Sequence, residues 1–192
     1  MLSAAFFDRP VLTVARELIG VTLLVDGVGG PIVETEAYHH EDPASHSYNG
    51  RTPRNAAMFG PPGHAYVYRS YGLHWCLNFV CGPEGDASAV LIRALLPTEG
   101  LATMAQRRGL SDPRKLCAGP GRLCQALAVT RAQDGRPLDA PPFALLMADG
   151  PYEIISGPRV GISISRDLPW RFGLARSPFL SRPFAASGRA IR

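Results

Sequence analysis

Two acids and one arginine stand where an apolar chain would be expected. Pro31-Ile32-Val33-Glu34-Thr35-Glu36-Ala37-Tyr38 alternates with the period of a β-strand, which predicts a strand over Ile32–Tyr38. That strand would present Ile32, Glu34, Glu36 and Tyr38 on one face and Val33, Thr35 and Ala37 on the other. A carboxylate in mid-strand beside an aromatic ring costs free energy unless a partner meets it. Arg93, in Ala89-Val90-Leu91-Ile92-Arg93-Ala94-Leu95, has the same need, because a buried guanidinium cannot shed its charge. Glu36 and Glu34 are the mid-strand acids available to it. The pairing has two readings. One is a structural ion pair or, for Arg93, an exposed strand edge. The other is a carboxylate and a guanidinium that hold one water between them, which is the start of hydrolytic chemistry.

Further residues could build a pocket around such a pair. Tyr66 and Tyr68 alternate with Val67 and Arg69, so they share a face, either as cross-strand packing or as two rings that sandwich a planar heterocycle. Tyr71-Gly72 separates Ala65–Ser70 from Leu73–Val80 and suits a tight hairpin turn. Tyr71 at that apex either folds back on the hairpin or serves as a wedge between stacked bases. Asn78 lies in the apolar run Trp75-Cys76-Leu77-Asn78-Phe79-Val80-Cys81 and must find hydrogen-bond partners. It either fixes backbone or tests a base edge from the pocket floor. His39, His40, Glu41, Asp42 and His46 match no metal-ligand spacing and read as a solvated loop; His46 could still donate a hydrogen bond at a pocket rim. Gly119-Pro120-Gly121-Arg122 opens a helix, where free N–H groups and the dipole favour a phosphate, although the same residues make an ordinary turn. Arg51, Arg54, Arg159, Arg166, Arg171 and Arg176 add basic groups in loop-like surroundings.

The elements that must hold these residues follow from periodicity and punctuation. Helices are expected over Thr13–Ile19 with Thr13 as N-cap, over Glu99–Arg108 capped by Thr98, and over residues 119–129. Strands are expected over Val21–Val25, Ile32–Tyr38, Ala65–Ser70, Leu73–Val80, Ala89–Leu95, Phe143–Met147, Tyr152–Ile155 and Val160–Ser165. Residues 39–64 form a polar segment whose length marks it as functional or disordered, and the tail after Ser181 reads as loose. Neither a repeat nor a linker divides the chain, and regular βαβ alternation is missing, so a mostly antiparallel mixed fold is expected.

Composition bounds the class. The chain has 192 residues, 46% of them hydrophobic and 19% charged, as in a globular domain large enough for a real core. No apolar run reaches the roughly 18 residues a membrane span needs, and the apolar start lacks the basic flank of a signal peptide. Cys76, Cys81, Cys117 and Cys124 form no Cys-x-x-Cys pair and read as reduced, structural cysteines of a cytosolic protein. The net charge is +4, with Lys115 the only lysine. Codon bias accounts for arginine over lysine, but the positive balance itself fits an anionic partner.

In order along the chain stand Val33-Glu34-Thr35-Glu36-Ala37-Tyr38, Glu41-Asp42-Pro43-Ala44-Ser45-His46, Gly50-Arg51-Thr52-Pro53-Arg54-Asn55, Met58-Phe59, Tyr66-Val67-Tyr68, Tyr71-Gly72, Cys76-Leu77-Asn78, Leu91-Ile92-Arg93-Ala94-Leu95 and Gly119-Pro120-Gly121. This series resembles the alkyladenine (3-methyladenine) DNA glycosylase family from about residue 5 to residue 182. The resemblance implies a single mixed α+β domain over residues 1–192, with a curved, mostly antiparallel sheet, flanking helices and a protruding β-hairpin. It implies monofunctional excision of damaged purines from double-stranded DNA by a cytoplasmic monomer, without metal or organic cofactor. By the same resemblance Glu36 matches the acid that activates water and Arg93 the arginine beside it. Tyr38, Tyr68 and His46 match the walls of the base pocket, Asn78 the residue that excludes guanine's exocyclic amine, and Tyr71 the side chain that fills the gap in the duplex. Arg51, Arg54, Gly119, Gly121 and Arg122 are the expected backbone contacts. His39-His40 and Leu73 depart from the family pattern, at positions where an apolar residue with glycine, and methionine, are common. The alternative from another class is a non-catalytic nucleic-acid-binding module with a structural Glu36–Arg93 pair.

Overall fold

The structure is a computed structural model and describes residues 1–185 and the backbone of 189–191. Two short helices, α1 (Ala4–Phe7) and α2 (Val11–Glu17), open the chain. Five strands follow: β1 (Thr22–Val25), β2 (Val28–Tyr38), β3 (Ala65–Ser70), β4 (His74–Cys81) and β5 (Ser88–Leu95). Three helices then cross back, α3 (Leu101–Arg108), α4 (Pro113–Leu116) and α5 (Pro120–Leu127). The chain ends in β6 (Phe143–Leu146), β7 (Ile154–Gly157), β8 (Arg171–Leu174) and β9 (Arg189–Ile191). Every strand pair is antiparallel. The main order is β3-β4-β5-β2-β8-β7-β9, with β1 paired to the first half of β2 and β6 paired to β1. This is the mixed α+β architecture expected, a curled antiparallel sheet with helices against it.

β2 carries the fold. Its first half pairs with β1 and its second half is held on both sides, by β5 and by β8. The backbone of Glu36 is therefore fixed between Leu91 and Arg171. Its pairing with β5 slips twice, around Val33 and then around Arg93. Such bulges re-aim side chains. Ile32 joins the same hydrophobic cluster as Ala37, whereas Val33 does not. The alternation thus changes phase at the bulge, and Ile32 leaves the face predicted for it beside Glu34.

The opposite face of the sheet is the core. Val14, Ala15 and Leu18 of the α2 region and Leu123, Ala126 and Leu127 of α5 pack with Leu77, Phe79, Val90 and Ile92. The Thr35 hydroxyl donates to the Ala15 carbonyl at 2.8 Å, which pins β2 to α2. All four cysteines are free and buried. A smaller cluster of Met58, Tyr66, Val80, Ala87 and Ala89 forms separately, beneath the 3₁₀ turn at Ala56–Phe59.

β4 pairs with β5 only over Asn78–Cys81, so the far half of the β3–β4 hairpin extends past the sheet. Four predicted boundaries move for physical reasons. α3 begins at Leu101 rather than Glu99, because the Thr98 and Glu99 amides both donate to the Gly29 carbonyl. α2 begins two residues before Thr13, after Pro10, where a missing N–H costs nothing. Residues 160–165 form no strand: Gly161 has φ +79, and the Val160 amide serves a side chain instead of a ladder. Among the described tail residues, Phe184 lies against Gly157 and Gly173 and β9 pairs with β7. Residues 186–188 and 192 lie outside the described residues.

Candidate active site

The floor of the site is the bulged stretch of β2 against β5. Glu34 and Glu36 are both fully buried, and Arg93 lies between them. Arg93 Nε donates to Glu34 Oε1 at 2.9 Å, and Arg93 Nη1 is 3.3 Å from Glu36 Oε1. Glu34 takes much more. Its Oε1 also accepts from Arg171 Nε at 2.8 Å and from the Ser181 hydroxyl at 2.8 Å. Its Oε2 accepts from the Ser181 amide at 2.5 Å. The Ser181 hydroxyl in turn accepts from Arg93 Nη2 at 3.1 Å. Glu34 is thus a structural acceptor with its lone pairs spent.

Glu36 has fewer partners. Its Oε1 accepts from the Val160 amide at 2.7 Å and its Oε2 from the Tyr38 hydroxyl at 2.9 Å. Burial pushes its carboxyl above the ordinary range, against the opposing pull of Arg93, the Val160 amide and the Tyr38 hydroxyl, while Glu34 adds to the rise. A carboxylate raised in this way holds a proton-accepting site closer to neutral pH.

Above the floor opens a cavity of about 770 Å³, lined among others by Tyr38, His46, Tyr68, Asn78, Arg93 and Val160. Three of its lining groups, Tyr38, Arg93 and Val160, are the ones that contact Glu36. Tyr68 forms one wall with His46 set edge-on to it, ring centroids 4.4 Å apart. His46 Nδ1 lies 3.0 Å from the Tyr66 hydroxyl. Burial and the neighbouring Arg54 hold His46 below its usual value, so it is neutral at pH 7. Tyr66 and Tyr68 stack on each other at 5.5 Å. A heterocycle between two rings needs about 7 Å, twice the ordinary contact distance, so these two do not form the sandwich their alternation suggested. Tyr66, only 1% exposed, instead backs Tyr68 and His46. The Asn78 amide nitrogen donates to the Tyr66 carbonyl at 3.1 Å, which fixes its side chain at the cavity.

The long polar segment is ordered by its own side chains. Asn55 accepts from the Thr52 amide at 2.6 Å and donates to the carbonyls of His46 at 2.8 Å and Gly50 at 3.0 Å. That closed loop carries His46 to the cavity and leaves Arg51 and Arg54 exposed. Arg54 lies 5.9 Å over the Tyr68 ring.

The hairpin stands at the mouth. Tyr71 and Gly72 have φ of 48 and 70, the type I′ pattern for which glycine at the second position is suited. Tyr71 is 89% and Leu73 72% exposed, so the tip ring does not fold back. Just behind the tip, a Cβ on Gly121 would come within 2.8 Å of His74, so a glycine there lets α5 approach the hairpin. The Gly119 amide donates to the Arg93 carbonyl at 3.0 Å. It is therefore not free for a phosphate, in contrast to the expectation from sequence. Arg122 is exposed beside it.

The three histidines of the segment after β2 separate into two places. His46 is in the cavity, while His39 and His40 gather with Asp86, His40 Nδ1 at 2.9 Å from Asp86 Oδ1.

A family model described as methylpurine-DNA glycosylase matches residues 5–178. The chain belongs to the methylpurine-DNA glycosylase family. Among its relatives, a protein of Rhodopseudomonas palustris is 65% identical over 184 residues, covering 96% of this chain and 89% of its own. A Nitrosospira multiformis protein is 62% identical over 178 residues, 93% and 92% of the two chains. A third, from Nitrobacter winogradskyi, is 60% identical over 187 residues, 97% and 90%. All three are named as 3-methyladenine DNA glycosylases. The chain is a DNA glycosylase of base excision repair, an enzyme that hydrolyses N-glycosidic bonds. No helix among the described residues is long and apolar enough to cross a membrane.

The candidate site includes buried groups that sequence reasoning missed. Arg171, expected in a loop, is buried in β8 on Glu34. Trp170 and Phe172 around it gave the same signal as Arg93, a cation in an apolar setting. Arg159, also expected in a loop, is buried on Asp42. The Val160 amide and Ser181 carry no local signal, because any sequence supplies a backbone N–H and a serine is common. Arg182, in the tail, lines the cavity.

Proposed function

We propose that the enzyme extrudes alkylated or deaminated purines from double-stranded DNA and hydrolyses their bond to the sugar, with Glu36 as general base. One observation carries the reading: the buried Glu36 carboxyl, raised by burial, is held by Tyr38, Arg93 and Val160, three residues that line an aromatic cavity beneath an exposed aromatic hairpin tip. A base inside a duplex cannot reach such a floor, so it must be flipped, at a cost of a few kcal/mol that is least for damaged, badly paired bases. Tyr71 fills the gap left behind. Tyr38, Tyr68 and His46 receive the base, and Asn78 tests its edge. As C1′ gains oxocarbenium character, the negative carboxylate of Glu36 stabilises the developing cation and takes the proton of the attacking water, while Arg93 holds that water beside it. An alkylated purine is already cationic and leaves readily. A neutral lesion such as hypoxanthine needs a proton, and the neutral His46 can offer it a hydrogen bond but not a full positive charge.

The chemistry is hydrolysis without strand cleavage. Lys115, the only lysine, is on α4, 3.5 Å from Asp112, and outside the cavity. Arg51, Arg54 and Arg122, exposed around the mouth, meet the DNA backbone, with the Gly119–Gly121 turn beside them. The protein acts as a monomer in the cytoplasm, on nucleoid DNA. The test is release of free base from duplexes that each carry one hypoxanthine, ethenoadenine, 3-methyladenine or 7-methylguanine. Base release by the parent and loss of it in Glu36→Gln support the reading. Equal release by both overturns the general-base assignment, and no release by the parent favours the binding-module alternative.

A further inference from the structure

We infer that Arg159 is a positioning residue that holds the wall and the base of the site together from behind, an inference that rests on the glycosylase reading above. Its side chain is fully buried, and Nη1 lies 2.5 Å from Asp42 Oδ2 while donating to the Ala37 carbonyl at 2.9 Å. The plane of the guanidinium faces two rings, Tyr38 at 4.6 Å and Trp170 at 5.2 Å from their centroids. Its Nε and Nη2 have no hydrogen-bond partner among the described residues. Tyr38 and Val160 line the cavity but Arg159 and Asp42 do not, so the cation sits on the far side of the Tyr38 wall. The next residue, Val160, gives its amide to Glu36 at 2.7 Å.

Three parts of the site therefore meet on one guanidinium. Ala37 belongs to β2, which carries Glu36 and Tyr38. Asp42 begins the segment that leads to His46, where its Oδ1 also accepts from the Ala44 amide at 3.0 Å. Arg159 itself sets the position of Val160. A buried ion pair is a poor source of stability, since desolvating both ions cancels most of their attraction, and an apolar pair of similar volume often serves the fold as well. Leaving two N–H groups unpartnered adds to that cost. What the arrangement supplies is position. The ring cannot swing away from a cation stacked on it, and the Val160 amide cannot leave Glu36 without dragging the buried guanidinium.

Arg159→Lys tests this. It keeps the charge on Asp42 but loses the planar face and the fork. The double variant Asp42→Asn/Arg159→Gln guards against a folding defect, since it leaves no lone buried charge. Both are expected to lower the maximal single-turnover release of hypoxanthine about tenfold, as small misplacements of reacting groups do. Both are expected to keep affinity for an abasic duplex, which has no base to stack on Tyr38, within about twofold of the parent. The acid limb of the rate profile should move to higher pH, because Glu36 keeps Arg93, Tyr38 and Glu34 as neighbours but loses the Val160 donor. Amide hydrogen exchange gives a readout that needs no catalysis: Val160 should lose protection about tenfold while β5 amides keep theirs. A parent-like rate, acid limb and Val160 protection in either folded variant overturns the inference. So does an equal loss of protection at Val160 and throughout β5, which would make Arg159 merely structural. If the parent releases no base, the glycosylase reading fails by itself, and the Val160 exchange still decides the positioning role.

Discussion

The floor of the site and the tip of the hairpin are opposite solutions to handling DNA. On the floor, two carboxylates share one guanidinium, and their oxygens are held by donors from β5, β8 and the segments at Val160 and Ser181. At the tip, Tyr71 and Leu73 stand in solvent, while the stem behind them is met by α5 at His74 and by Arg54 on the Arg69 carbonyl. The floor must present charge at a fixed point, so it is tied from every side. In the proposed function the tip enters a duplex, which asks for an aromatic body standing clear of the sheet. The same contrast divides the floor itself. Glu34 is saturated, whereas Glu36 keeps a raised carboxyl within reach of the cavity.

The largest expected effect separates these two acids. Glu36→Gln should reduce single-turnover excision by about 10²–10⁴, the usual worth of a positioned general base. It should not unfold the protein. Because the folded carboxyl of Glu36 is raised above its unfolded value, the native state binds the proton more tightly. Stability then falls as pH rises from the ordinary carboxylate range through the folded value. At neutral pH the burial of Glu36 is thus a cost, and Glu36→Gln should melt at or above the parent temperature, with the gap shrinking towards pH 4, the unfolded carboxylate range. A lower melting temperature at pH 7.5 would count against this assignment of cost.

Glu34→Gln should do the reverse in the same two assays. Removing its charge leaves Arg93 and Arg171 buried with half their pairing gone, which is worth roughly 3–5 kcal/mol and should appear in denaturant unfolding. An unchanged unfolding midpoint would mean that Glu34 is not the structural member of the pair.

At the tip, Tyr71→Ser should weaken binding to lesion-bearing duplex by about tenfold, within the range for one lost base-stacking contact, with unfolding unchanged. Equal affinity of parent and variant for an abasic duplex would remove the wedge. The smallest effect belongs to the edge between regions. Tyr38→Phe keeps the ring but takes one donor from Glu36, so its acid limb should move to higher pH with a rate loss of only a few-fold at neutral pH; a limb that stays in place would show that the hydroxyl does not tune Glu36.

Much of this contrast is legible in sequence, where charge interrupts an apolar strand. Glu36, Arg93 and the tyrosines of β3 announce themselves by breaking or repeating a period of two, and the Tyr71-Gly72 turn by its glycine. What local pattern cannot give is the difference in surroundings between Glu34 and Glu36, which only the family resemblance told apart. It is decided by Arg171 and Ser181, 137 and 147 residues away from Glu34, and no local pattern carries such a distance. The β-branched run after Arg159 shows the converse failure. Its propensity favours a strand, but the Val160 amide is drawn to a carboxylate 124 residues earlier. The bulge at Val33 and Arg93 is equally silent, since a one-residue slip leaves the composition of both strands unchanged.

The contacts of Ser181 with Glu34 span 147 residues of chain, and this sets an order of events during synthesis. A strand made early waits, with two buried acids and Arg93 incompletely satisfied, until a segment made near the end arrives. Until then the floor is a set of charges seeking water, and the half-made chain has reason to stay open there. The floor therefore has its full set of donors only once the segment at Ser181 is in place. A ribosome that stalls before Ser181 would release a chain without that full set.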